Sequence, residues 1–333
     1  MKKKIILIFG GKSFEHDISI KSAKSILKYI NKDKYIIKLI YIDKRGNWYL
    51  CENINKLNDL TPINDKKIFD NCYCVFPILH GNNGEDGKIQ GYLDIIGVPY
   101  VGCNLISSAL CMDKVFSKIV LNSENIKQAK YTVIKKTSYN FEETSILIKE
   151  KIKYPCFIKP ANAGSSLGVN KIYHEHELNK AIKEAFLYDS KIIIEECIYG
   201  KELEVGILGN NDIIVSRVGE IVPADDFYSY DAKYNSKNSI VKIPANISEE
   251  TSKKIQNIAT KVYKALECSG LARIDFFLKN ETNEIYINEI NTIPGFTNIS
   301  MYPLLFENIG IKYDVLIDKL LELGVQRYLE KVI

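Results

Sequence analysis

The sequence predicts an α/β protein of more than one domain, and three observations support this. The chain has 333 residues with 46% apolar content, enough to bury a large core and to divide into two or three domains. Its first hundred residues alternate short apolar runs with segments of helical period, the rhythm of a parallel α/β domain. Towards the other end, two strand-like runs joined by a polar turn carry charged side chains where a buried strand calls for apolar ones.

Taken in order, Ile5–Phe9 reads as a buried strand entering the turn Gly10-Gly11. The preceding Met1-Lys-Lys-Lys suggests a secretory signal, but the apolar run is shorter than a signal core and no small-residue cleavage site follows. Ser19–Tyr29 has helical period, Ile36–Ile42 and Cys74–Leu79 read as strands, and Ile89–Ile96 as a second helix. This first unit spans residues 1–110. A second unit, 111–201, holds strands at Tyr131–Lys135, Cys156–Lys159 and Lys191–Glu195 and a helix at Glu175–Tyr188. The third, 202–333, holds helices at Ser248–Leu266 and Tyr313–Leu323 with the charged hairpin between them. Residues 222–242, polar and aromatic without period, read as a long loop of the kind that forms a lid over a site.

Composition excludes several classes. The 45 basic and 41 acidic residues leave a net charge of +4, and no basic block with interleaved aromatics follows Lys2-Lys3-Lys4, so nucleic acid is not an expected partner. No apolar stretch approaches the roughly 20 residues that cross a bilayer, so a cytoplasmic location without membrane contact is expected. Eight cysteines sit mostly in apolar sequence and are expected to be reduced core residues. The pair Cys72-Tyr-Cys74 has the wrong spacing for zinc.

The hairpin runs Leu271-Ala-Arg-Ile-Asp-Phe-Phe-Leu278, a turn over 279–284, then Ile285-Tyr-Ile-Asn-Glu-Ile-Asn-Thr-Ile-Pro-Gly-Phe-Thr297. Alternate side chains of a strand share a face, so Arg273 and Asp275 point one way and Glu289 and Asn291 form the matching pair. In a register with Asp275 opposite Glu289 their Cβ atoms lie about 5 Å apart, an arrangement that destabilises a sheet. Either the face is solvated or a cation sits there. Oxygen ligands from Asp, Glu and Asn suit Mg²⁺ or Mn²⁺, with nucleotide phosphates completing the shell. Pro294-Gly295 adds a turn whose Gly N–H can approach an anion closely.

These two runs, Gly270–Leu278 and Asn288–Thr297, resemble the C-terminal signature of the D-alanine:D-alanine ligases, members of the ATP-grasp superfamily. Further motifs in order extend the resemblance over nearly the whole chain. It implies a three-domain ATP-grasp fold in which an N-terminal α/β domain, a central domain and a C-terminal domain clamp ATP. The reaction implied joins two D-alanines through an acyl phosphate, with ATP and two Mg²⁺ (or Mn²⁺) as cofactors. Asp275, Glu289 and Asn291 would hold the metal, while Arg273 and the Gly295 N–H would face the oxyanion.

In Phe9-Gly-Gly-Lys-Ser13 the Gly-Lys-Ser imitates the end of a phosphate-binding P-loop, but Ile6 stands where that loop needs its first glycine. The family resemblance instead places Glu15 on the ammonium of the first D-alanine; by itself Glu15 reads as a helix-start carboxylate. His80, at a strand exit before a Gly-rich turn, would orient Glu15, although a lone histidine is commonly structural. The small-residue loop Asn162–Gly168 can bring N–H groups up to phosphate. By resemblance Ser166 lies on phosphate, Ser165 joins Glu15 and Tyr234 in a hydrogen-bonded triad, and Lys114, Lys159 and Lys233 neutralise phosphate charge.

Ile192–Glu204 reads as a buried strand running into a polar turn and resembles the adenine hinge. Glu195 would meet the adenine amino group, the backbone of Glu196 and Ile198 the ring edge, and Glu202 the ribose. Phe157 and Phe277 would wall the slot, where core packing is the commoner use of an aromatic. Cys197 departs from the bulky residue usual there. Ser300 would hold the carboxylate of the second substrate, with Met301 and Tyr228 against its methyl group. Ser107–Lys114 and Ile290–Gly295 also resemble the D-alanine:D-serine ligases, which remain an alternative. The resemblance further implies a homodimer. Two other readings compete: a nucleotide-binding regulatory protein without catalysis, and a different carboxylate–amine ligase, against which Glu15, His80, Tyr234 and Ser300 speak.

Overall fold

The computed structural model describes residues 1–57, 60–63, 65–222 and 240–332. Three sheets organise them. The first has the order β4-β3-β2-β1-β5, with β1 (Lys3–Gly10), β2 (Tyr35–Ile42), β3 (Trp48–Cys51), β4 (Leu60–Pro62) and β5 (Cys74–Pro77). β1 runs parallel to β2 and β5, but β3 and β4 are antiparallel, so the sheet is mixed where the sequence rhythm implied a parallel one. The cause is local. The Asp43 carboxylate accepts hydrogen bonds from the N–H groups of Arg45 and Asn47 and builds a tight turn that sends the chain straight back.

Alternation along β1 divides the core of this unit. Ile5, Leu7 and Phe9 pack with α1 (His16–Tyr29) and with α9 (Tyr313–Val332), the last helix of the chain. Ile6 and Ile8 pack on the opposite face with Ile89 and Leu93 of α2 (Lys88–Ile96). The helix expected over Tyr313–Leu323 runs on to Val332. In the fold Gly324 lies inside α9, where an added Cβ would come within 2.6 Å of the Tyr100 carbonyl oxygen, so the glycine permits a close approach. Arg327, one turn on, donates to that same carbonyl at 3.0 Å.

α3 (Leu105–Met112) and α4 (Lys114–Ser123) are separated by Asp113, whose carboxylate caps α4 by accepting from the N–H groups of Val115 and Phe116. The second sheet, antiparallel in the order β6-β9-β7-β8, comprises β6 (Tyr131–Lys135), β7 (Cys156–Pro160), β8 (Asn170–Ile172) and β9 (Lys191–Glu196). Its core joins Ile158, Ile192 and Ile194 to Leu178 and Ile182 of α6 (Glu175–Ala185), with α5 (Phe141–Leu147) alongside.

The third sheet has the order β13-β12-β10-β14-β15, with β11 paired to β10. Its strands are β10 (Gly200–Gly209), β11 (Ile213–Val215), β12 (Gly219–Val222), β13 (Ile240–Lys242), β14 (Gly270–Lys279) and β15 (Ile285–Asn291). α7 (Glu249–Ala265) covers it, capped by Ser248, and α8 (Met301–Glu307) follows the hairpin. Two sequence readings change. Glu202 lies on β10 and not in a polar turn after β9, and Val222 pairs with Ile240, so the ends of the expected lid are strands. The rest of that segment, with Tyr228, Lys233 and Tyr234, lies outside the described residues. All eight cysteines are free and six are buried, in line with the core reading. Among the described residues, no helix is long and apolar enough to cross a membrane.

Candidate active site

Every predicted site residue within the described set lines one cleft of about 460 Å³ between the sheets. On its inner wall Glu195, at the end of β9, is buried with its two carboxylate oxygens 2.7 Å from the ammonium groups of Lys118 and Lys159. Burial alone would raise this carboxyl, but the two lysines outweigh it and hold it at about 2. Each carboxylate oxygen keeps a second lone pair, so Glu195 can still accept from an amino group. Phe157 stands opposite Glu195 across β7 and β9, and Phe277 stands opposite Glu202 across β14 and β10. Both rings are half-buried, so the two sheets each present one aromatic wall to the slot.

Lys114, the first residue of α4, donates to the carbonyl of Ala163 at 2.7 Å and so ties that helix to the small-residue loop. Ser165 and Ser166 sit consecutively in the left-handed region, at φ 51° and 57°. Non-glycine residues hold that conformation only where their surroundings fix it, which marks this loop as a built feature.

The charged hairpin folds in the expected register. Asp275 faces Glu289, Arg273 faces Asn291, and a bulge follows between Asp275 and Phe276. Arg273 grips both oxygens of Asp275 through Nε and Nη2 at 2.8 Å each, and Nε also lies 3.0 Å from Glu204 Oε2. The Asn291 amide donates to Asp275 at 3.0 Å. Because Glu204 pairs with Asp275 across β10 and β14, three carboxylates lie side by side on three neighbouring strands with one guanidinium among them.

The substrate side joins the first and third sheets. Ser13 Oγ donates to the His80 carbonyl at 2.6 Å and accepts from the Glu15 N–H at 3.2 Å, which couples the two residues. The His80 ring spans from Ser22 Oγ to the Ile293 carbonyl, each at 3.0 Å, so Nδ1 carries a proton and donates it to that carbonyl. Burial lowers its pKa against the opposing pull of Glu15. An added Cβ at Gly81 would meet Glu15 Oε2 at 2.6 Å, and one at Gly164 would meet it at 3.1 Å, so this carboxylate lies over both glycines. Gly81→Ala, at φ 69°, is therefore expected to displace Glu15 and, with Glu15 in the role its sequence motif implies, to raise the KM for D-alanine by about tenfold or more. Steady-state kinetics on the folded variant checks this.

Residues 4–103 match the family described as D-ala D-ala ligase N-terminus, and residues 120–322 match D-ala D-ala ligase C-terminus. The chain belongs to the D-alanine:D-alanine ligase family. A D-alanine–D-alanine ligase of Acetivibrio thermocellus is 46% identical over 98% of this chain and 97% of the relative. Among solved ligases, the D-alanine-D-alanine ligase from Coxiella burnetii superposes with a TM-score of 0.89 at 36% identity, covering 99% of this chain and 96% of that one. VanG D-Ala:D-Ser ligase from Enterococcus faecalis superposes with a TM-score of 0.87 at 38% identity, covering 97% and 100%.

The cleft of this ligase-family chain and the wall behind it also hold residues the sequence reading passed over. Lys118 stands one helical turn after Lys114 on α4, and that spacing alone could have flagged it. Glu204 shares a strand face with Glu202, two residues away. Glu85 gave no such signal. Its carboxylate accepts from the Gly81 N–H at 2.7 Å and from the Ile293 N–H at 3.1 Å, bridging the first sheet to the hairpin exit. Burial and the nearby Glu15 push Glu85 up to about 8. The folded state therefore keeps a proton that the unfolded chain sheds, so this group makes stability fall as pH rises from the ordinary carboxylate range towards 8. Glu85→Gln is expected to remove that slope, read as Tm between about pH 5 and 9.

The donor set at the hairpin fits a hard divalent cation. Two carboxylates and an amide face one another across β14 and β15, and among the described residues no group of three or more His, Cys, Asp or Glu forms a complete cage. That pattern suits a magnesium ion whose shell is finished by phosphate oxygens. Ser300 and Gly295 adjoin, since an added Cβ at Gly295 would meet Ser300 Oγ at 3.3 Å. Met301 packs against Ile221 and Leu305 where it borders the cleft.

Proposed function

We propose that this protein joins two D-alanine molecules into D-alanyl-D-alanine, with ATP converted to ADP and phosphate, as a cytoplasmic step of peptidoglycan precursor synthesis. The observation that carries the reading is one cleft holding the carboxylate row around Arg273 together with Glu15 and His80. A carboxylate is a poor acyl donor, so the first D-alanine, held by its ammonium on Glu15, attacks the γ-phosphate and becomes an acyl phosphate. Lys114, Lys159 and Lys233 offset the phosphate charge, and Glu195 with Glu202 positions adenosine. The amine of the second D-alanine, its carboxylate on Ser300, then attacks the acyl carbon, and phosphate leaves. Arg273 and the Gly295 N–H face the oxyanion of that step, and Ser165 and Tyr234 complete the hydrogen bonds around Glu15.

Asp275, Glu289 and Asn291 are the residues that would hold two Mg²⁺ or Mn²⁺ ions, whose positive charge would offset the charge developing on phosphate. The division 1–110, 111–201 and 202–333, with 222–242 as the lid, and assembly as a homodimer belong to the same reading. The apolar Met301, with Tyr228 assigned to the same pocket by family resemblance, favours D-alanine as second substrate. The test is amino-acid-dependent ADP release with Mg²⁺-ATP and D-alanine, alone and with D-serine or D-lactate, with products identified by mass. D-alanyl-D-alanine as main product supports the reading. Mainly D-alanyl-D-serine moves the chain to the alternative, and no amino-acid-dependent ADP overturns it.

A further inference from the structure

A second cavity, about 580 Å³, lies along the edge of the first sheet where β1, β2 and β5 end. Gly10, Ile42 and Trp48 come from β1, β2 and β3, and Ile63 and Leu79 lie just past the ends of β4 and β5. In open α/β sheets this edge, beside the strand pair where the chain order reverses, is where small molecules bind. Here that pair is β1 and β5. The volume is of the size that encloses a small organic ligand.

We propose that this cavity is a regulatory site for a small aromatic carboxylate. The apolar part of such a ligand matches the walls. Trp48 and Tyr92 meet edge-on at 5.2 Å between ring centroids, and Ile42, Ile63, Leu79 and Ile89 add apolar wall, with His80, Asn82 and Asn83 as the polar part of the lining. The charge matches the mouth. Of the two lysines there, Lys88 is neutralised by Asp86 at 2.6 Å, whereas Lys12 has no acidic partner among the described residues. The Lys12 stem is seated against Gly46, where an added Cβ would come within 2.7 Å of its Cδ, so the ammonium is held beside the cavity. One uncompensated cation over an apolar, aromatic hollow calls for one carboxylate on an aromatic body.

The site is joined to the reaction cleft through two short loops. His80 lines both spaces. Gly10, Gly11 and Lys12 lead directly into Ser13, whose hydroxyl binds the His80 carbonyl and the Glu15 N–H. An occupant that shifts either loop shifts the two groups assigned to the first D-alanine. This coupling rests on the proposed activity; the binding does not.

Trp48 is the sole tryptophan of the chain, so its fluorescence reports the cavity directly. Titration of the full chain with 3-phenylpropionate, followed by Trp48 emission and calorimetry, is expected to give saturable binding with a Kd on the order of 1 mM or tighter. The neutral 3-phenylpropanamide is expected to bind about tenfold more weakly, and Lys12→Glu to weaken the acid by a similar factor. Tyr92→Ala should weaken both ligands. Lys12 and Tyr92 are exposed, so both variants keep the fold. With saturating probe the KM for D-alanine is expected to change by about twofold or more, and this change should vanish in Lys12→Glu. Absence of saturable binding, equal binding of acid and amide, or displacement of the probe by ATP would overturn the site. Binding without any change in the D-alanine KM overturns its regulatory role. A chain that binds the probe but releases no ADP with D-alanine refutes the ligase reading and leaves the binding site standing.

Discussion

Arg273→Ala is expected to lower kcat by about 10²–10³ and to destabilise the fold at the same time. Read from sequence alone, Arg273 serves only the oxyanion, and its loss leaves the fold intact. The structure changes that expectation. Its guanidinium holds Asp275 by two hydrogen bonds of 2.8 Å and lies 3.0 Å from Glu204, while Glu289 stands opposite Asp275 on β15. Removing it leaves three carboxylates on adjacent strands with no cation among them, and breaking a buried ion pair costs roughly 3–5 kcal/mol. Arg273→Lys restores the charge without the planar fork, so it should recover more of the stability than of the turnover. Urea unfolding and kcat, measured on both variants, separate the two losses. Unchanged kcat in a folded alanine variant would remove Arg273 from the oxyanion.

Glu195→Gln should act on stability and on nucleotide binding together. The wild-type carboxyl is held at about 2 by Lys118 and Lys159, against an unfolded value in the ordinary carboxylate range. Its folded pKa is depressed, so its contribution is fully present above about 4.5 and drains away as pH falls towards 2. In the variant both lysines face a neutral amide in a buried setting. The urea midpoint is expected to drop at about pH 7, and the gap to wild type to narrow at about pH 3. If Glu195 has its proposed place on the adenine amino group, the KM for ATP should rise by about tenfold or more, because that group then loses its charged acceptor. A constant gap at both pH values would show that the lysine pair does not depend on this carboxylate.

Much of this was legible in the residues. The hairpin register followed from strand alternation, and Asp275 does face Glu289. Glycine-rich turns at strand exits marked where His80 and the 162–168 loop stand. What was hidden depends on partners far apart in sequence. Glu85 becomes a bridge only because Ile293, just past the end of β15, donates to it. Glu204 becomes part of the charged row only once β10 pairs with β14. The room that Gly324 gives the Tyr100 backbone lies across the fold and leaves no local mark in the sequence. The antiparallel β3 and β4 were missed because strand direction is set by turn length and capping, which composition does not encode.

The seating of α9 against β1 has a consequence for how the chain must be made. Leu316, Ile317, Leu320 and Leu321 close over Ile5, Leu7 and Phe9, so the opening sheet shares its core with residues translated much later. During synthesis that sheet leaves the ribosome with one apolar face covered only in part, by α1, until α9 is translated. Until α9 arrives, the uncovered part of this face is a stretch of the nascent protein that chaperones would have reason to hold.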